Sequence, residues 1–477
     1  MTMMVVGLCG CSKWLNVKPY DKISEDELLK TEAGFEKFLN GIYIELNREE
    51  LYGSSLSVEM VEIMGGAYEI GDESNIWGNY TDLRDYKYES EYWRTRFTAT
   101  WNKAYSLILN CNKLLEKIDG KEELFSGNAY DMFRGESLAL RAMLHFDMLR
   151  LFGPVYKLHP EAKSIPYYTH STTVPEPQLS AEDILNKVIT DLEQALVFLE
   201  KDPIKTEGTL MTSDPAGNSN YWRFRQLRLN YYAVEALLAR AHLWAGNNKD
   251  AYKRAWDVIV AADKGIFPFV KSEDVIGSVK DPDRIFSSEV IFALTHSQRV
   301  KLFKNYFDPK RTTFTFKMEN ELLTKTIFGG NVVTGGYQDD YRNRVQWSSS
   351  GSNRYFVQYD DMIANGKIQN TMIPMIRLGE LFLICAETKT DNLNDGAGLI
   401  NMLRRNRGIK SKYTELDQEH LILEYIRELY GEGQLFYLYK RLYTNIIRSN
   451  DPTKNQLASP NVFVVPLPED EKGVSQN

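Results

Sequence analysis

The chain holds 477 residues, 43% hydrophobic and 26% charged, with a net charge of −8. This composition fits a globular protein and speaks against a nucleic-acid partner, which would need clustered Lys and Arg; here the bases alternate with acids. Four cysteines are too few for a disulfide scaffold, and after residue 12 no apolar run is long enough to span a bilayer.

In chain order, the start "MTMMVVGLCGCSKWL" sets Cys9 and Cys11 one residue apart. By itself that pair fits a metal site, a disulfide or a processing signal. Aromatics then gather in "GDESNIWGNYTDLRDYKYESEYW", where Trp77, Tyr80, Tyr86, Tyr88, Tyr92 and Trp93 stand amid Asp and Asn. In "RFTATWNKAYSLILNCNKLLEKI", Phe97, Trp101, Ala104, Ile108, Cys111, Leu115 and Ile118 recur in steps of three and four, which predicts one apolar helix face. The next segment, "FRGESLALRAMLHFDMLRLFGPVY", is apolar nearly all round from Leu138 to Phe152. It predicts a central helix stopped by Gly153-Pro154. Its charges, Arg141 with His145 and Asp147 with Arg150, are expected as internal ion pairs or edge positions.

A Pro-rich stretch, "HPEAKSIPYYTHSTTVPEPQLS", predicts extended loop. Ser180 then opens a capping box with Asp183. Ala233, Leu237, Ala241 and Trp244 share a helix face that ends at Gly246, and "KDAYKRAWDVIVAADKG" follows after a tight turn. The two make an αα-hairpin of the tetratricopeptide kind. Similar pairs are read at 97–152 and 375–407, at irregular spacing, so the repeat is degenerate. From about 266 to 370 the helical period gives way to Gly, Ser, Asn, Tyr and Phe, with strand-like "EVIFALTH" and "TTFTF". A long irregular insertion rich in aromatics predicts an ordered binding surface. Cys111 and Cys385 fall on apolar helix stripes and are read as small buried hydrophobes.

Catalytic motifs are absent: there is no Gly-rich phosphate loop, no paired His around a Glu and no nucleophile elbow. The six histidines are scattered without ligand spacing, so neither a metal nor a cofactor is expected. Glu428 and Glu432 lie four apart and have the form of a carboxylate pair, but acids on one helix are more often solvated or paired with Arg. Aromatics beside amides are the better lead. A sugar offers an apolar C–H face for stacking and a hydroxyl rim for Asn, Asp or Arg. Asn75, Trp77, Asn79 and Tyr80 form one candidate ligand cluster; Trp347 with Tyr337, Asp339, Tyr341 and Arg342 forms a second. The alternative is that these rings pin loops to the helical core.

Several stretches, in order, carry a resemblance: "WLNVKPYDKI", "GFEKFLNGIY", "WNKAYSLILNCNKLL", "RGESLALRAMLHFDMLRLFGPVY", "NYYAVEALLARAHLWAGNNKDAY", "SSEVIFAL", "IRLGELFLICAET", "LINMLRRNRG" and "VFVVPLPEDE". Together they resemble the SusD/RagB family of outer-membrane nutrient-binding lipoproteins. The resemblance implies a mainly α fold, an α-α superhelix of degenerate tetratricopeptide-type pairs with a long loop-rich insertion, as a single domain over 11–477. It implies a non-enzymatic, surface-exposed protein that binds glycans, or peptides in some branches. Such a protein delivers nutrient to a SusC-like TonB-dependent β-barrel transporter in the outer membrane. The helices would face the barrel and the loops the ligand. In "EYIRELYGEGQLFYLYKR" the family usually has Arg where Tyr425 and Leu435 stand and Asp at Leu438, which puts a local ion-pair network in question.

Against that background Leu8-Cys9-Gly10-Cys11 fits a lipobox, with Cys11 the lipidated residue and 1–10 the remnant of a signal peptide. A metal site would need two more ligands, and several acyl chains give a stable anchor. "MTMMVVGL" lacks Lys and Arg and is shorter than a normal signal, so either the start is placed too late or the stretch is trimmed, and a longer upstream reading frame with a basic start would support this. Two other classes compete. An all-α carbohydrate-active enzyme would need paired acids in loops across a cleft, and a cytosolic tetratricopeptide scaffold would carry no lipid.

Overall fold

Helix signals in the sequence become helices with identifiable caps. The computed structural model describes residues 25–217, 219–276, 280–329, 337–361, 368–389 and 393–472; Cys9 and Cys11 lie outside them. Counting helices of eight residues or more among the described residues, these are α1 (Glu32–Leu46), α2 (Glu91–Ile118), α3 (Ala129–Phe152), α4 (Ala181–Phe198), α5 (Tyr231–Trp244), α6 (Asn248–Asp263), α7 (Leu378–Thr388), α8 (Leu393–Asn406), α9 (Gln418–Leu429) and α10 (Leu435–Leu442). Ser180 Oγ accepts from Asp183 N at 3.0 Å, as the capping box requires. Asn230 caps α5 through Ala233 N at 3.0 Å. Between α5 and α6 the chain turns at Gly246, whose φ of +75° suits a residue without Cβ.

The helices stack in sequence: α2 on α3, α3 on α4, α5 on α6, α6 on α7, and α7 on α8. This is the mainly α, degenerate-repeat architecture expected. Buried on every side, α3 carries its charges inside: Arg141 donates to both oxygens of Asp191 on α4 at 2.7 Å, and Arg150 pairs with Asp147. Its last carbonyls find a donor in Lys440, whose Nζ reaches Gly153 O at 2.7 Å and Leu151 O at 3.2 Å. Cys111 and Cys385 are buried, and burial pushes both thiols up to about 12. No helix of the described residues is long and apolar enough to cross a membrane.

The insertion is less strand-like than its sequence. β1 (Val290–Thr295) matches "EVIFALTH" and pairs antiparallel with β4 (Met372–Arg377). β2 (Trp347–Ser350) and β3 (Asn353–Phe356) form a hairpin around Gly351 and Ser352. "TTFTF" joins no sheet. Its chain is held instead by Phe316 N donating to Tyr306 O at 2.6 Å and Glu69 N to Lys317 O at 2.9 Å. The third expected helix pair likewise begins later than 375, because 372–377 is strand.

Where the family's Arg and Asp are replaced, the charge network is intact through other residues. Glu428 on α9 accepts from Arg407 at 2.6 Å, Arg377 at 2.8 Å and Arg342 at 3.1 Å. Glu424 accepts from Arg404 at 2.8 Å and Arg427 at 3.0 Å. All of these side chains are buried. The surrounding guanidinium groups outweigh desolvation, holding Glu424 at about 2 and Glu428 well below the usual carboxylate range. Tyr425 donates to Glu387 at 2.8 Å, while Leu435 and Leu438 are simply core.

Candidate functional site

Two short helices, Ser74–Trp77 and Tyr80–Arg84, precede α2 and present its neighbouring rings. Trp77 and Tyr80 are half-buried, Asn75 is exposed, and Tyr92 is 40% exposed. Beneath them lie rings of the insertion, distant in sequence. Trp77 stacks on Phe314 at 5.7 Å with planes 29° apart. Tyr80 meets Phe314 edge-on at 4.9 Å and Phe316 at 5.3 Å. Phe316 in turn stacks on Tyr306 at 5.4 Å.

A buried carboxylate organises the polar side of this platform. Glu59 accepts from Tyr80 Oη at 3.0 Å and Ser54 Oγ at 2.7 Å, and pairs with Arg96. Ser54 Oγ also meets Tyr306 Oη at 2.8 Å. Burial, with the Glu59 charge beside it, raises the Tyr80 phenol far above its usual value, so it stays a neutral hydrogen-bond donor. Arg96 lies over the faces of Tyr92 and Trp93 at 6.0 and 5.8 Å. Half-exposed rings backed by fixed donors and acceptors can stack on an apolar face and bond a polar rim.

The six ring and amide candidates therefore separate. Asn75, Trp77 and Tyr80 stand together at the surface. Trp347 is only 6% exposed, packed against Tyr430 at 4.9 Å and Phe356 at 5.3 Å. Tyr337 is 9% exposed, held by Arg404 at 2.8 Å and Tyr413 at 2.9 Å, with Arg427 over its ring at 4.1 Å. Tyr341 is half-buried over the small cluster of Val270, Val275, Phe286 and Val345. Arg342 is wholly enclosed by Asp340, Glu424 and Glu428. In this structure Trp347 and Tyr337 pin the insertion to the helices, Trp347 against the rings of Tyr430 and Phe356 and Tyr337 against the guanidinium groups of Arg404 and Arg427, while Tyr341 keeps part of its side chain open to solvent. Asp339 stays near the surface, 3.9 Å from Arg344.

The two clusters are nonetheless joined. From Trp347 the rings of Tyr430, Tyr68, Phe316, Phe314 and Trp77 follow at 4.9, 5.8, 4.4, 5.2 and 5.7 Å. The buried end anchors the ladder and the Trp77 end reaches the surface. Phe314, Phe316 and Tyr306 lie far along the chain from Trp77, and the one local signal for them, "TTFTF", has the alternation of a strand.

Glu428 and Glu432 are both buried and both bonded to Arg377, so these two carboxylates are not free for acid–base work.

Comparison with known proteins places this geometry. Residues 13–217 match a family described as "Starch-binding associating with outer membrane", and residues 284–461 match the SusD family model. The fold is similar to a SusD superfamily protein from Bacteroides thetaiotaomicron, with TM-score 0.70 and 20% identity, covering 93% of this chain and 98% of that one. It is also similar to a SusD-like carbohydrate binding protein from Bacteroides vulgatus, with TM-score 0.69 and 19% identity, covering 94% and 97%. In sequence it is 19% identical over 306 residues to SusD-like protein P25 of Formosa agariphila, which is 62% of this chain and about half, 51%, of that protein. With the helices, the motifs and two family models in agreement, the chain belongs to the SusD/RagB family.

Proposed function

We propose that this protein is a surface-exposed, lipid-anchored glycan-binding protein that delivers oligo- or polysaccharide to a SusC-like TonB-dependent outer-membrane transporter and performs no catalysis itself. The observation that carries the reading is the Trp77–Phe314 stack, an indole held half-exposed beside Asn75 and the Glu59–Tyr80–Arg96 network. The family description of starch binding and outer-membrane association supports it. In this reading Trp77 and Tyr80 stack on or bond the sugar and Asn75 bonds its rim, with the sugar's C–H face on the indole. Cys11 carries the lipid and Cys9 is removed with the signal.

The test is a binding screen over starch, mucin-type and plant polysaccharides and over peptides, repeated with Trp77→Ala. Glycan binding that Trp77→Ala weakens at least about tenfold supports the proposal. Binding of peptides and no glycan would assign the chain to the peptide-binding branch, and shortened polysaccharide products would make it an enzyme. Membrane fractionation tests the anchor: Cys11→Ala should release the protein and Cys9→Ala should not.

A further inference from the structure

The Pro-rich stretch that the ligand surface does not use forms one wall of a second groove. It runs beside α2, has a volume of about 410 Å³, and is lined by Trp101, Tyr105, Pro166, Tyr168, Pro175 and Glu471 among others. That volume lies in the range of ligand-binding clefts, roughly 300–1,000 Å³.

The loop wall is held rigidly. Asn112 Nδ2 donates to Tyr168 O at 3.1 Å and His170 O at 3.0 Å, and Tyr105 Oη donates to Pro166 O at 3.1 Å. Tyr168 N donates to His145 Nε2 at 3.1 Å, while its hydroxyl accepts from Glu176 N at 3.1 Å. The rings form a continuous row: Trp101 to Tyr105 at 4.5 Å and Tyr105 to Tyr168 at 5.6 Å.

Charge closes one end. The short helix Glu469–Lys472 brings Asp470 and Glu471 to the groove. Glu471 accepts from Trp101 Nε1 at 3.3 Å and has no salt bridge among the described residues. Burial, with the like charge of Asp470 beside it, raises its pKa above the usual carboxylate value. A half-buried carboxylate against aromatic faces, with no basic partner among the described residues, favours a cation: the carboxylate by charge and the rings by their quadrupole.

We infer that this groove is a second binding site, for the lysine or arginine side chain of a partner polypeptide, with the cation over the tyrosine rings and paired to Glu471. Charge complementarity selects that occupant, because a cation supplies the counter-charge to Asp470 and Glu471 that neither a neutral sugar nor an apolar segment carries. The site is independent of the Trp77 surface.

The experiment uses the full chain labelled with 5-fluorotryptophan, the Trp101 resonance being assigned by its loss in Trp101→Phe. The probes are capped pentapeptides Gly-Gly-X-Gly-Gly with X as Lys, Arg, Nε-acetyl-lysine or Glu. Expected are saturable shifts of Trp101 with Lys and Arg, and binding weaker by at least about tenfold for the other two. Glu471→Gln should cost about tenfold in affinity for the Lys peptide at unchanged Tm, and Tyr168→Leu should also weaken it. Trp77→Ala should leave it unaltered, which separates this site from the glycan surface. Equal response to all four peptides, no response to any, or full affinity in a folded Glu471→Gln variant would overturn the assignment.

Discussion

The indole of Trp77 and the ring of Phe314 stack 5.7 Å apart, with their planes inclined by 29°. The first comes from a short helix before α2 and the second from the insertion. A surface aromatic whose back is already packed loses little side-chain entropy when a ligand covers its front. The same ladder of rings ends inside the protein at Trp347, so two tryptophans that look alike in sequence have opposite environments.

That contrast is measurable. Trp347→Ala removes a buried indole and should destabilise the fold by about 3–5 kcal/mol. Trp77→Ala should cost less than about 2 kcal/mol, since its ring is already half in water. Urea unfolding midpoints of the two variants, set beside glycan affinity, check both; equal destabilisation would contradict the burial pattern.

The glutamates of α9 set the acid limit of the fold. Glu424 is held at about 2 against an ordinary 4.5, by Arg427, Arg342 and Arg404 working against desolvation. A depressed carboxylate stabilises the folded state fully above pH 4.5, and that contribution is lost as pH falls toward 2. Glu428→Gln leaves Arg377, Arg407 and Arg342 short of an anionic partner, so a loss of about 3–5 kcal/mol is expected. Chemical denaturation at neutral pH measures the loss, and an acid-unfolding midpoint shifted upward in pH would accompany it.

Glu62 titrates with the opposite sign. It is fully buried, accepting from Gly433 N at 2.8 Å and Gly431 N at 3.2 Å, and desolvation raises it to about 8. Between pH 4.5 and 8 the folded chain then holds a proton that the unfolded chain releases, so stability falls as pH rises. The difference in unfolding free energy between wild type and Glu62→Gln should change across this window by up to about 1.4 kcal/mol per pH unit. A difference independent of pH would place Glu62 at an ordinary carboxylate value.

Lys440 makes a simpler case. Its terminal amino group reaches the carbonyls of Leu151 and Gly153, at the close of α3, and burial lowers its pKa well below the usual lysine value. Lys440→Met keeps an unbranched side chain one atom shorter but leaves two buried carbonyls without that donor, for an expected cost of about 1–3 kcal/mol. A stability at or above wild type would show that the apolar isostere compensates.

Much of this was legible in residue order alone. The three-and-four spacing from Phe97 to Ile118 placed most of α2, and Ser180 with Asp183 placed the start of α4. The family motifs ordered the rest. What could not be read was exposure. Tyr337 and Trp347 sit amid Gly, Ser and Asp, which reads as open loop, yet Arg404, Arg427 and Tyr430 close over them from helices distant in sequence. Phe314 and Phe316 alternate as a strand would, but among the described residues no strand pairs with them.

The sequence by itself determined the helical repeat, its caps and stops, and the family, because these depend on periodicity and on residues within a turn or two of one another. The tertiary structure alone decided which rings meet water, which acids are neutralised by arginine, and which carboxylate lies against aromatic faces. Those properties depend on groups brought together from hundreds of residues apart, and desolvation and pairing act only once the chain has closed around them.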